Sequence, residues 1–421
     1  MMEAWPQANL QDWLGLLLRW AHFVTGVAWI GASFYFNWLE NQLERRFKDD
    51  DPLAGDLWAV HGGGFYYLQK FRLAPPQMPG TLHWFKYEAY ATFLTGFCLL
   101  MVVYWWNAPL FLINPDSSLS QPLSIALSFG VLLISWLLYD GLCRSPLGNK
   151  GLLSGLIIFA WFTFLAWFLA DYFTGRAAYL HVGAAIGTIM VANVFFGIIP
   201  AQKDMVASLS AGRTPDGSKG KSALQRSRHN NYLTLPVLFI MVSSHYPFAY
   251  GGKWGWLLLA VLSLALVGIR HWFNIRHLPQ HNRWVLPLSL LLLVGLMLST
   301  LPWQRMGSSD QALDVPAGTP ATEKSMAKSI IATPGMADIQ PLIEQHCVNC
   351  HAEKPSFTGF YAPPLGVVLE TPEQIEQQAQ RIHQVVVVTR TMPLGNMQGM
   401  TPEQREMIAQ WYAGLDDLGS E

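Results

Sequence analysis

Residues 254–275, WGWLLLAVLSLALVGIRHWFNI, decide the fold class. A helix needs roughly 20 predominantly apolar residues to cross a hydrocarbon core of about 30 Å, and this run supplies them without a proline. Seven other stretches have the same character, near 13–38, 85–106, 121–142, 151–172, 178–200, 231–250 and 284–303. The weakest is 231–250, which holds Pro236 and His245. Composition agrees: 51% of the 421 residues are hydrophobic and 13% are charged, against about 25% charged in an ordinary soluble protein. Eighteen Trp fit the same reading, because indole rings collect at bilayer interfaces. The sequence therefore predicts an all-α fold: a polytopic membrane helix bundle of about eight spans over 1–303, with the lipid bilayer as partner. No basic block interleaved with aromatics occurs, which excludes nucleic acid.

Charge sets the predicted topology. With the N-terminus outside, the inner loops carry Arg45, Arg46, Lys48, Lys70, Arg72, Lys86, Arg144, Lys150, the cluster from Lys203 to Arg228, and Arg270, Arg276 and Arg283. The outer loops carry only Arg176 and Lys253. That asymmetry is the positive-inside pattern. An even number of spans returns the C-terminus to the outside, so the N-terminus and the tail are expected in the periplasm of a bacterial inner membrane. The first apolar segment lacks a basic leader and a clear cleavage site, and reads as a retained helix.

Residues 304–336 are rich in Ser, Thr, Ala, Pro and Gly and read as a flexible periplasmic linker. Beyond it, 337–421 reads as a small all-α cytochrome c domain. Cys347-Val348-Asn349-Cys350-His351 is a C-x-x-C-H haem attachment signature. Two thiols at that spacing, Cys347 and Cys350, form thioethers to the porphyrin, and His351 falls beneath the iron of the resulting haem c. Met is the usual second axial ligand of an electron carrier, and Met392 stands about 40 residues on in a Thr-Met-Pro context. Met397 and Met400 compete for that role. A zinc site would need a second pair of ligands nearby, and none is present. Segments 337–346 and 402–415 read as the first and last helices, with Trp411 a core aromatic. Cys98 and Cys143, in or beside apolar segments, read as packing residues.

Ionisable groups at membrane depth default to a functional hypothesis. His22, His181 and His245 fall at similar depth in the outer half, where neutral imidazoles on facing helices suit a haem b or another metal. Arg19, one turn before His22, could pair with a haem propionate. The plainer reading is interfacial histidines bonded to neighbours. On the inner side, Trp58 to Lys70 (WAVHGGGFYYLQK) places His61 beside three glycines, and His83, Lys86 and Glu88 follow. With Asp140 and Arg144 they offer acid/base groups, aromatic faces and cations for a flat anion. The competing reading is a solvated loop with an aromatic anchor.

Four stretches carry a resemblance: LLLRWAHFVTGVAWIGASFYFNWLE (16–40), WAVHGGGFYYLQK (58–70), LHWFKYEAYATFLTGF (82–97) and YDGLCRSPLG (139–148). They resemble the bacterial membrane-bound urate oxidase family of the PuuD type, which joins a membrane domain to a C-terminal cytochrome c. The resemblance runs from about residue 10 to the end and implies oxidation of urate to 5-hydroxyisourate. Water supplies the oxygen, no hydrogen peroxide is released, and electrons leave through the haem to a soluble or membrane cytochrome c or a terminal oxidase. It also sets a problem: a substrate oxidised at the inner face needs a relay across about 30 Å of hydrocarbon, such as a haem held by the outer histidines; without one the substrate site would lie near the outer face, with His22, His181, His245 and Arg19 as its substrate or acid/base groups. Two other functions remain open at this point. One is a b- and c-type electron carrier from quinol; the other is a transporter with a haem sensor, disfavoured because no broken-helix pair is evident.

Overall fold

The computed structural model describes residues 10–48, 50–114, 117–277, 282–300, 334–357, 363–388, 390–396 and 398–418. The chain divides into two compact units, Met1–Leu290 and Leu291–Glu421, and is mostly helical. Most of the expected linker lies outside the described residues.

The first unit begins with α1 (Leu10–Gln42), followed by a hairpin of β1 (Leu53–His61) and β2 (Gly64–Phe71). Next come α2 (Tyr87–Trp105), α3 (Gln121–Arg144), α4 (Gly151–Tyr172) and α5 (Gly175–Ser210). The sequence of helices continues with α6 (Gly217–Ser243), α7 (Gly255–Ile275) and α8 (Val285–Ser299). Local chemistry sets several ends. Thr174 caps α5 by accepting from the Ala177 amide at 3.3 Å, and Asp216 caps α6 by accepting from the Ser218 amide at 2.9 Å. α5 closes with paired bonds from the Gly212 and Arg213 amides to the Leu209 and Ser208 carbonyls, 3.0 and 2.9 Å.

Six of these helices are long and apolar enough to cross a membrane: α1, α2, α3, α4, α5 and α7. The expected count of eight is corrected to six on that measure among the described residues, and composition is the reason. The first turns of α6 read GSKGKSALQRSRHNN and dilute its apolar half. α8 has 15 residues, and the rest of its expected segment, 301–303, lies outside the described residues.

Contacts show that α6 nevertheless traverses the bundle. Near its start, Arg226 meets Asp140 at the end of α3. Just past its finish, the Ala249 carbonyl lies 2.6 Å from the Tyr179 hydroxyl in the first turn of α5. The remaining ends sort the same way. Gln11 at the start of α1 bonds to Val102 and Asn107 at the end of α2. Asn37 near the end of α1 bonds to Asn274 at the end of α7. From α1 to α7 the helices therefore alternate in direction.

A second difference concerns the segment read as a glycine-rich loop. Residues 53–71 form an antiparallel hairpin in which His61 pairs with Gly64. Gly62 and Gly63 take φ of 58° and 79°, the left-handed pair that a tight two-residue hairpin turn demands. Trp58 and Tyr67 stack across the strands at 4.6 Å.

The core of the first unit lies around α5, where Val182, Ala185, Ile186 and Ile189 are buried against α3, α4, α6 and α7. In the second unit, α9 (Met336–His346), α10 (Pro372–Gln377) and α11 (Pro402–Leu418) surround a core of Ile339, Ile343, Ile375, Ile408 and Trp411.

Candidate functional site

In the tail, α9 runs into a single turn, Val348–His351. The His351 and Cys350 amides both bond to the Cys347 carbonyl, at 2.9 and 3.1 Å, which gathers the two thiols and the imidazole on one turn. Both cysteines are free and half-buried. His351 Nδ1 lies 3.0 Å from the Val367 carbonyl. A carbonyl only accepts, so Nδ1 carries the proton and Nε2 keeps its lone pair. This is the tautomer that an iron ligand needs, fixed by a partner outside the coordination sphere. Burial pushes the Cys347 thiol up to about 12, so it stands as a neutral thiol. No group of three or more His, Cys, Asp or Glu converges among the described residues. The donor set of this turn fits a covalently held haem.

Met392 is held by its backbone from two sides: its amide donates to Val385 at 3.0 Å, and Arg405 donates to its carbonyl at 2.7 Å. Its side chain packs at the edge of the tail core. Met400 is 3% exposed and belongs to that core. Met397 lies outside the described residues.

In the first unit the structure separates the expected groups. His22, half-buried on α1, points Nδ1 at the Thr92 carbonyl (3.0 Å) and the Thr95 hydroxyl (3.2 Å) of α2. His181 is fully buried, and both ring nitrogens are engaged. Trp105 donates to the Ser128 hydroxyl at 2.8 Å, that hydroxyl lies 2.6 Å from His181 Nε2, and Nδ1 lies 2.7 Å from the Ala177 carbonyl. The only consistent proton order has Ser128 donating to Nε2 and Nδ1 donating to Ala177. His245 is exposed just beyond α6, and Arg19 is exposed on α1. The Nε2 lone pair of His181 is taken by Ser128 in this arrangement, so His181 is not free to ligate a metal.

The inner-side residues are likewise dispersed. His61 is exposed at the hairpin turn. His83 is exposed with its ring edge-on to Phe85 at 4.7 Å. Lys86 Nζ sits 4.8 Å over the Tyr87 ring, and Glu88 lies in the first turn of α2. The hairpin is anchored by Asp56, 1% exposed. Its carboxylate accepts from Tyr67 and from Arg46, both at 2.6 Å. These bonds, the Tyr67 hydroxyl foremost, hold the Asp56 carboxyl below the usual carboxylate range.

Two buried polar centres appear, of whose residues the sequence indicates only Asp140 as a candidate site group. In the first, Arg226 is 5% exposed and donates to Asp140 at 2.6 Å and to Asn193 at 2.9 Å. Asn193 donates to Tyr139 and Asn230, both at 2.9 Å. The Tyr139 hydroxyl lies 2.8 Å from His229 Nδ1. Asn193 also opens the π-helical turn Asn193–Ile198 within α5, and such turns are frequent at functional sites.

The second centre lies between the C-terminal ends of α1 and α7. Asn231 Oδ1 accepts from Arg270 Nε at 3.1 Å and from Asn274 at 2.8 Å, and Asn37 donates to Asn274 at 2.9 Å. Arg270 Cζ stands 4.2 Å over the Phe34 ring. Its Nη2 is buried with no hydrogen-bond partner, a state that costs about 1–3 kcal/mol or more for a charged donor. A cavity of about 300 Å³ opens here, lined by Phe34, Asn37, Asn41, Gln42, Arg270 and Arg276 among others. The signal for both centres was present as asparagines within apolar helices, Asn37, Asn193, Asn230, Asn231 and Asn274. An amide there must find partners or cost several kcal/mol.

The fold and these sites define a helical, membrane-capable bundle with polar centres at one end, joined to a small helical tail that carries an oriented C-x-x-C-H turn. The family model described as Urate oxidase N-terminal matches residues 8–301, and the chain belongs to that family. It is a urate oxidase-related oxidoreductase. The match stops short of the tail. No curated protein and no solved structure matches the chain.

Proposed function

We propose that this protein is a membrane-bound urate oxidase that passes electrons to a haem c on its own tail. The observation that carries the reading is one chain holding both a urate oxidase family domain over 8–301 and a C-x-x-C-H turn whose His351 keeps Nε2 available. The reaction balances as urate plus water giving 5-hydroxyisourate, two protons and two electrons, with no hydrogen peroxide formed.

In the tail, Cys347 and Cys350 would hold the porphyrin, and His351 and Met392 would be the ligands to its iron. A haem bound there supplies a one-electron carrier. The protein's own part is orientation: Val367 fixes the imidazole tautomer, while Val385 and Arg405 fix the backbone that presents Met392. A soluble or membrane cytochrome c, or a terminal oxidase, is the proposed acceptor.

The basic loops gather at the end of the bundle where α3, α5 and α7 finish, which the positive-inside rule assigns to the cytoplasm. Counting α6 and α8 with the six gives an even number of spans, which would leave the tail on the same side as the N-terminus, in the periplasm of a bacterial inner membrane.

The decisive experiment is anaerobic. Urate added to the purified, haem-loaded protein should reduce about two c haems per urate, as the two-electron balance requires, with 5-hydroxyisourate formed. Failure of the haem to reduce, or release of one peroxide per urate in air, would overturn the reading.

A further inference from the structure

We propose that the cavity between the C-terminal ends of α1 and α7 binds a planar anion of the urate class, with Arg270 as its charged anchor. The ligand's identity rests on the urate reading above; the existence of an anion site does not.

Four observations converge on the cavity. Arg270 lines it and is 7% exposed, yet Nη2 lacks a partner. Its guanidinium is held on Nε by Asn231 and stacked on Phe34, which fixes its orientation, and Nη2 has no acceptor within the protein. Around it stand the amides of Asn37, Asn41 and Gln42, which can both donate and accept. Arg276 adds a second cation, and no carboxylate lines the cavity among the described residues. Phe34, Trp38 and Phe273 supply flat apolar faces. A ring system with an ionised edge and several carbonyl and N–H groups matches this lining; a compact inorganic anion would leave the aromatic faces and most amides unused. At about 300 Å³ the space admits one bicyclic molecule with its water, at the lower bound of ordinary ligand pockets.

The cavity sits at the basic end of the bundle, so its occupation and electron delivery to the tail are separate events and are read separately. Equilibrium binding of radiolabelled urate is measured on full-length, haem-loaded protein in phosphatidylcholine nanodiscs. The haem is held reduced with dithionite, so that no turnover occurs. Orotate, a second planar anion, is measured in parallel. Arg270→Gln should weaken both by about 30-fold or more, the scale of losing a buried charged hydrogen bond. Arg270→Lys should recover part of that loss, because the charge returns without the planar fork. Should Arg270→Gln not accumulate, Asn41→Cys keeps Arg270 in place: alkylation of that thiol, followed by peptide mass spectrometry, should slow several-fold with urate or orotate present.

Haem reduction by urate together with unchanged binding to Arg270→Gln, or no protection at Cys-substituted Asn41, would overturn the cavity and leave the enzyme intact. Orotate binding that needs Arg270, in a protein whose haem urate never reduces, would sustain the cavity and remove the enzyme. Displacement by phosphatidylglycerol vesicles with neither planar anion bound would make this a lipid headgroup site and overturn the proposal.

Discussion

Arg226 on α6 reaches Asp140 on α3 with Nη2 to Oδ1 at 2.6 Å, and the same guanidinium holds Asn193 on α5 at 2.9 Å. Three helices are thus tied at one end by a single buried charge pair. Removing Asp140 leaves the buried Arg226 charge uncompensated, at a cost of about 3–5 kcal/mol, whereas removing Arg226 leaves Asp140 paired with Arg144 at 2.7 Å. Asp140→Leu should lower the melting temperature sharply in detergent, and Arg226→Leu less so, because Arg144 still pairs with Asp140. The double variant should be less damaged than the sum of the two. Additive losses would mean that the pair does not interact.

The Asp56 anchor makes the hairpin acid-sensitive. Its carboxyl is held below the ordinary range when folded, by Tyr67 first and by Arg46 next. A depressed folded value contributes stability above the unfolded value of about 3.9, and that contribution is lost as pH falls through the folded value. Hydrogen exchange of the 53–71 peptide should therefore accelerate below about pH 4. Tyr67→Phe should bring that acceleration on at higher pH. An exchange profile that Tyr67→Phe leaves unmoved would refute the anchor.

Met392 and Met400 should respond differently to truncation. Met400 is 3% exposed in the tail core, so Met400→Ala should cost about 2–5 kcal/mol of tail stability while leaving the haem spectrum alone. Met392→Ala should abolish the sulfur-to-iron absorption and lower the midpoint potential, with stability little changed. The reverse pattern would transfer the ligand role to Met400.

Cys350→Ala should yield no covalently bound porphyrin in a pyridine haemochrome assay and no electron export, while urate binding under reducing conditions persists. Retention of a thioether-linked haem with normal stoichiometry would remove Cys350 from the attachment site.

Much of the architecture was legible because apolar run length is a one-dimensional property. The segments at 121–142, 151–172 and 254–275 became α3, α4 and α7. The C-x-x-C-H run likewise needs no tertiary contact to be recognised, since five consecutive residues contain the chemistry. The hairpin was missed because Gly62 and Gly63 were read as bending freedom, without pairing the aromatic flanks on either side. α6 was judged weak for Pro236, yet its polar first turns were the larger departure, and these are satisfied by partners on α3 and α5 that lie far away in sequence.

The sequence by itself determined the helical class, the alternating apolar spans, the basic asymmetry of the loops and the C-x-x-C-H turn of the tail. Each of these depends on composition or on spacing within a few turns. Only the tertiary structure decided which polar groups share a site. His181 became a satisfied core residue through Ser128 and Ala177, while Arg226 and Arg270, counted as loop cations, became buried centres. The physical reason is that the cost of a buried polar atom depends on whether a partner stands within about 3 Å. Residues 30 to more than 200 positions apart in sequence supply that partner here, and only packing brings them together.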